Sequence, residues 1–109
     1  MVREGVTMLK VLSLMKRKDG MSYAEFRNWA LNEHPKLAEK IPGMRGYRMN
    51  VPLTENPDSP YDAISEMWWD SDAARLAGFG TDEGKAAGAD AGAHCQSRFH
   101  FMAEEKVVI

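Results

Sequence analysis

A single cysteine, Cys95, stands in a chain of 109 residues. No internal disulfide can form, so the fold has no covalent staple. A lone thiol suits a reducing compartment, and the chain is expected to be cytoplasmic. Long apolar runs are also absent. The best stretch, Thr7 to Met15, is well short of a bilayer span, and no small-residue cleavage site makes it a secretory signal. Charge of one sign accumulates nowhere. The formal net charge is -2 with both signs interspersed, so neither nucleic acid nor membrane is expected as a partner. The sequence holds no GxGxxG, no phosphate loop and no serine elbow. His34, His94 and His100 lack HxxxH or Cys/His spacing, so no metal site is expected. There is no internal repeat and no linker.

What remains is an ordinary soluble composition, 44% hydrophobic and 28% charged, sized for one domain over residues 1–109. Met1 to Gly5 reads as a frayed start. Met8 to Lys16 (MLKVLSLMK) reads as a buried strand, closed by the turn Lys16 to Gly20. Ser22-Tyr23-Ala24-Glu25 is a capping box, and Met21 with Phe26 has hydrophobic-staple spacing. A helix follows with Phe26, Trp29, Ala30, Leu37 and Ile41 on one stripe and His34 on the same side. Pro35 interrupts it: its ring clashes with the Leu31 carbonyl and pushes His34 out of the α region, so a kink is predicted there. Pro35 then opens a short second segment, which Ile41-Pro42-Gly43 ends.

Met44 to Leu53 reads as a second strand and Thr54 to Pro60 as a loop. Tyr61 to Trp69 is a third strand, with Ala63, Ser65, Met67 and Trp69 on one face and Asp62, Ile64, Glu66 and Trp68 on the other. Asp70 and Ser71 cap a helix through Ala73, Leu76 and Phe79. Residues 82–92 are left between helical and irregular, because Gly84, Gly88 and Gly92 weaken any helix. Gln96 to Ile109 is the last strand, with Arg98, His100 and Met102 alternating against Ser97, Phe99, Phe101 and Ala103.

The order β-α-β-β-α-β predicts a ferredoxin-like α+β sandwich, an antiparallel sheet with both helices on one face. Two helices leave the other face bare, although strands one, three and four carry apolar side chains on both faces. A homodimer through that sheet face is therefore expected, with a partly apolar pocket between the two sheets or inside each subunit.

Three stretches resemble the EthD family, named for a protein of ethyl tert-butyl ether degradation: EHPKLAEKIPGMRGY (Glu33 to Tyr47), YDAISEMWWDS (Tyr61 to Ser71) and MAEEKVV (Met102 to Val108). The resemblance spans residues 8–108. It implies a dimeric α+β barrel with a cavity in each subunit and no general cofactor. Relatives in the superfamily include cofactor-free monooxygenases, cyclases, dehydratases and lactone isomerases. The sequence departs from the pattern after Phe79, where relatives carry bulkier residues around an acidic one, which Asp90 would match here.

Several side chains are candidates for chemistry. His34, at the proline kink and in the family motif, reads either as a proton-transfer group whose tautomer the freed Leu31 carbonyl fixes or as a helix-terminating histidine bonded to backbone. Glu66, flanked by Ile64 and Trp68, reads either as a desolvated acid/base with a raised pKa or as a salt-bridge partner of Arg48 or Arg98. Arg48 and Asn50 either bind a carbonyl, phenolate or carboxylate or face solvent. Tyr47 and Trp68 line an aromatic pocket or pack in the core or an interface. Trp29 and Trp69 read as core, and Cys95 as an inert buried thiol. His100 is an exposed strand histidine or a pocket residue beside Arg98. A single ligand such as His34 suffices for haem, so haem is left open, while no cofactor is required. The expected activity is cofactor-free oxidoreductase or isomerase/cyclase chemistry on a small apolar or aromatic oxygenated ligand, with a non-catalytic binding or accessory role as the alternative.

Overall fold

A computed structural model describes residues Met8–Ile109. The frayed start read at Met1–Gly5 lies outside the described residues. Strand β1 (Leu9–Arg17) is followed by α1 (Tyr23–Asn28), a π-helical turn (Trp29–Glu33) and α2 (His34–Ala38). Then come β2 (Met44–Asn50), β3 (Ala63–Trp69), α3 (Asp72–Phe79), α4 (Asp82–His94) and β4 (Cys95–Ala103). The strands form one antiparallel sheet in the order β2-β3-β1-β4. This is the ferredoxin-like sandwich that the sequence predicts.

Alternation sorts the sheet residues into two rows. Val11, Ser13 and Met15 of β1 pair with Met67, Ser65 and Ala63 of β3, and with Met102, His100 and Arg98 of β4. Tyr47 and Met49 of β2 continue this row, opposite Met67 and Ser65. The helices cover it: Met15, Ala63, Phe26, Trp29, Ala30 and Ala91 form one buried cluster, and Val11, Met67, Trp69, Ile41 and Ala87 a second. The other row holds Leu12, Leu14, Ile64, Glu66, Trp68, Arg48, Phe99 and Phe101. No helix covers it, and Phe99 and Phe101 are more than half exposed.

Local sequence sets the helix boundaries. The Ser22–Glu25 capping box forms in both directions, and Met21 packs against the Phe26 cluster. Pro35 acts differently from expectation. His34 stays in the right-handed helical region, at φ -58° and ψ -40°. The preceding turn widens to π geometry instead, and the His34 N–H donates to the Trp29 carbonyl five residues back. One extra residue in the turn absorbs the proline without breaking the helix. β2 stops at Asn50, short of the predicted Leu53, and β4 stops at Ala103. The glycine-rich segment is a continuous helix, started by the Thr81 hydroxyl, which accepts from the Gly84 N–H.

The glycines of α4 are not equivalent. A Cβ at Gly84 would overlap the Gly78 carbonyl oxygen and the Phe79 backbone, so α3 and α4 pack there backbone to backbone. A Cβ at Gly88 would meet no atom within 4 Å. Gly84→Ala is expected to destabilise the protein by about 1–3 kcal/mol through overpacking. Gly88→Ala should instead stabilise it by up to about 1 kcal/mol through helix propensity. Denaturant melts of the two variants check this, and equal effects would contradict the close α3–α4 contact.

Candidate active site

Three elements converge around one carboxylate. Asp90, in the middle of α4, accepts the Trp29 indole N–H at 2.9 Å on Oδ2. The same oxygen lies 2.9 Å from His34 Nδ1. A carboxylate can only accept, so Nδ1 carries the proton and Nε2 keeps its lone pair. The π turn contributes Trp29, α2 contributes His34, and α4 supplies the acceptor to both. Trp29 lies flat on His94, with ring centroids 4.6 Å apart and planes 14° apart. His94 in turn donates from Nδ1 to the Asp90 backbone carbonyl at 2.7 Å. The indole, 1% exposed, thus acts as a rigid wall behind the dyad.

Burial lowers the His34 pKa below its ordinary 6.5, and His94 and Arg98 push the same way. Asp90 opposes them through the hydrogen bond and its charge. The imidazole is therefore neutral at pH 7, held in one tautomer, with a free basic nitrogen. This is the state that a general base needs.

The pocket in front of the imidazole lies between the helices and the sheet. Ser13, Met15, Ser65 and Met67 make its floor, Tyr47 and His34 one wall, and Ala87, Gly88 and Ala91 of α4 the other. Arg98 and His100 stand exposed at its mouth on the edge strand β4. The pocket opens to solvent, and its inner space is about 40 Å³, room for about three waters. The Tyr47 hydroxyl is fully shielded and has no hydrogen-bond partner among the described residues. Burial pushes the phenol up to about 12, and the Ser65 hydroxyl beside it pulls weakly downward although it forms no well-aligned hydrogen bond. Tyr47 is thus a neutral donor at any ordinary pH, with its proton unclaimed. Partial burial and the cations Arg98 and Arg75 lower the His100 pKa, but the ring stays open to water.

The candidate residues divide between the two faces of the sheet. His34, Tyr47 and His100 share the helix-side pocket. Glu66, Arg48, Asn50 and Trp68 lie on the bare face, because their positions are out of phase with Tyr47, Ser65 and Met67 by one residue. They do not converge with His34. The expectation of a raised Glu66 pKa is corrected as well. Lys10 at 2.9 Å and the Asn50 amide at 3.0 Å hold it below the usual carboxylate range, outweighing desolvation. Trp68 lies between the Lys10 ammonium and the Arg48 guanidinium, 4.9 and 5.3 Å from its ring centre. The Leu31 carbonyl has no part in fixing the His34 tautomer, since Asp90 does so. As partner of His34, Asp90 escaped the reading of the residues alone. The only signal for it was an acidic residue in a stretch where relatives carry one. Burial pushes the Cys95 thiol up to about 11, which leaves it protonated and unreactive. Among the described residues, no cluster of three or more His, Cys, Asp or Glu could hold a metal ion. No described helix is long and apolar enough to cross a membrane.

Known proteins match this chain in sequence and in fold. The EthD domain profile matches residues 18–94, from the turn after β1 to the end of α4. An EthD family protein from Bacillus halodurans superposes with a TM-score of 0.76 at 27% identity, over 91% of this chain and 99% of that one. A dimeric ferredoxin-like protein of unknown function from Thermobifida fusca gives 0.75 at 15% identity, over 96% and 97% of the two chains. The hydroxynitrile lyase of Passiflora edulis gives 0.69 at 13% identity, over 93% and 97%. No curated protein matches the sequence.

The dyad predicts a pH dependence of stability. A histidine whose pKa is lower folded than unfolded binds fewer protons when folded, so stability declines as pH falls through 6.5 toward the folded value. His34→Gln should flatten that decline relative to wild type. Urea melts between about pH 5 and 7.5 check this, and parallel curves for the two proteins would contradict a neutral buried His34.

Proposed function

The chain belongs to the EthD family, and on that premise we propose that it is a small acid–base enzyme acting on an oxygenated, largely apolar small molecule. The observation that carries the reading is the His34–Asp90 pair at 2.9 Å, with Nε2 left for the pocket and the unpartnered Tyr47 hydroxyl on the same wall. His34 Nε2 takes a proton from a C–H or O–H of the ligand. The electron pair moves to the ligand oxygen, which becomes an enolate or phenolate. The Tyr47 O–H, shielded until a small shift of its side chain opens it to the pocket, donates to that oxygen. Returning the proton to a different atom completes an isomerisation. Expulsion of a leaving group that takes the proton from the His34 imidazolium completes a lyase step, and attack of the enolate carbon on a carbonyl of the same ligand, whose oxygen takes that proton, completes a cyclase step. Asp90 holds the imidazole in the required tautomer and stabilises the imidazolium while it exists. The fold accommodates such chemistry, since the Passiflora edulis neighbour of the same topology is a lyase. No step of this sequence needs a cofactor.

Pairing of two copies through the bare sheet face is part of the same proposal. Half-exposed Phe99 and Phe101 pair with Leu14 and Leu12 on the face that also carries Ile64 and Trp68, and apolar side chains gathered on a bare face favour association. Neighbours of this topology are described as dimeric. The Lys10–Glu66 and Lys10–Glu105 ion pairs, at 2.9 and 2.7 Å, neutralise the charges within the patch. Sedimentation should show a dimer at micromolar concentration and a monomer for Phe101→Lys. A monomeric wild type would contradict this pairing.

Once a substrate is found by thermal-shift screening and product analysis, His34→Gln should lower kcat/KM by about 10²–10⁴-fold. Asp90→Asn should lower it too, and should move the acid limb of the pH profile to lower pH, because the carboxylate raises the His34 pKa. Ligand binding without turnover would replace the enzyme reading with a binding role, and full activity in His34→Gln would remove His34 from the mechanism.

A further inference from the structure

The space inside the pocket is small, about 40 Å³, and a ligand larger than a few atoms extends past it toward solvent. The remainder must lie at the mouth, so the chemistry there decides what kind of molecule enters. Three residues frame it: Arg98 and His100 on β4, and Gly88 on α4. Because β4 is an edge strand, its helix-side row has no further strand beside it, and both side chains stay exposed.

Arg98 differs from the other described arginines. Arg17, Arg45 and Arg75 each meet a carboxylate, Arg27 donates to the Pro52 carbonyl, and Arg48 covers Trp68. Among the described residues Arg98 makes no hydrogen bond or ion pair. Asp90 is the nearest acid along α4, but His34, Trp29 and His94 occupy it. The Arg98 charge nevertheless reaches the dyad, since it lowers the pKa of His34 and of His100.

Gly88 is the second observation. Gly84 is small because α3 touches it, and a Cβ at Gly92 would come within 3.6 Å of Arg98 Nη2. At Gly88 nothing fills the space within 4 Å. A helix glycine costs about 1 kcal/mol relative to alanine, and packing does not require it here. The gap borders the pocket that Arg98 and His34 also line.

We propose that the ligand is a small oxo or hydroxy carboxylic acid, whose carboxylate pairs with the Arg98 guanidinium at the mouth while its oxygenated end passes Gly88 to reach His34 and Tyr47. A carboxylate fits one guanidinium in bidentate fashion. A phosphate dianion would remain half uncompensated beside a neutral His100. The proposal rests on the acid–base reading of the same pocket and names the substrate class for it.

The test uses two pairs of probes: 4-oxopentanoate and its methyl ester, and 4-hydroxybenzoate and its methyl ester. Each is titrated into protein carrying ¹⁵N-labelled histidine and arginine. Each acid should shift the His34 and Arg98 signals and raise the His34 pKa, because the bound anion offsets the Arg98 charge. The ester should bind about 10- to 100-fold more weakly, the worth of one charged hydrogen-bonded pair. Arg98→Gln should bring acid and ester to the same affinity, and Arg98→Lys should restore part of the difference. Gly88→Val, checked for folding by its melting curve, should weaken both members of each pair. Equal binding of acid and ester to the wild type would overturn the proposal. So would unchanged acid binding in Arg98→Gln, or no shift at His34 with either acid up to about 10 mM. His34→Gln separates this proposal from the reading beneath it. Acid binding that survives in that variant, together with undiminished turnover of an identified substrate, would remove the acid–base role while leaving the Arg98 site intact.

Discussion

The Asp90 carboxylate is the point on which the functional half of this structure depends. Its Oδ2 atom takes the Trp29 indole N–H and faces His34 Nδ1, both at 2.9 Å. Those two donors come from the π turn and from α2, and the acceptor comes from α4. The carboxylate thus ties two separate parts of the helical layer together over the pocket. A partly buried carboxylate costs free energy unless donors satisfy it, and here the donors are the groups that the site must orient. The π turn is part of the same arrangement. Without its extra residue Pro35 would break the helix, and Trp29 and His34 would not both face α4.

The sheet then keeps two kinds of chemistry apart. Its helix side is small and uncharged at the floor, with a neutral histidine and a neutral phenol lining it. Its bare side carries aromatic residues and a neutralised set of ions around Lys10 and Glu66. A strand period of two produces this division. Tyr47 and Arg48 are adjacent in sequence yet belong to opposite faces. For Glu66 the outcome is a carboxylate stabilised in its charged form by Lys10, suited to a structural ion pair and not to proton transfer.

Most of the fold was legible because its signals are local. The capping box at Ser22, the alternation in β3 and the Asp/Ser cap before α3 each depend on a few neighbouring residues. Residues 82–92 were harder, because their glycines depress helix propensity while tertiary contact rewards them. Gly84 is needed where α3 touches α4, and no reading of a single segment reveals that contact. In the site, His34 was legible from its place at a proline and in a family motif. Its partner Asp90 is 56 residues away, and no spacing rule joins them. The expected grouping of His34 with Glu66 and Arg48 failed because it required knowing which strand face meets the helices. At Pro35 the sequence alone predicts a kink with His34 outside the α region, but a wider turn relieves the proline clash as well, and that is the form found here.

The central claim is that Asp90 fixes the tautomer of His34, protonated on Nδ1 and bare on Nε2, while burial keeps the ring neutral. Long-range ¹H–¹⁵N correlation of the histidine rings at pH 7 tests it most directly. The account predicts a protonated Nδ1 and an unprotonated, pyridine-type Nε2 for His34, with this preference lost in Asp90→Ala. A His34 ring protonated on both nitrogens, or on Nε2 alone, would contradict it.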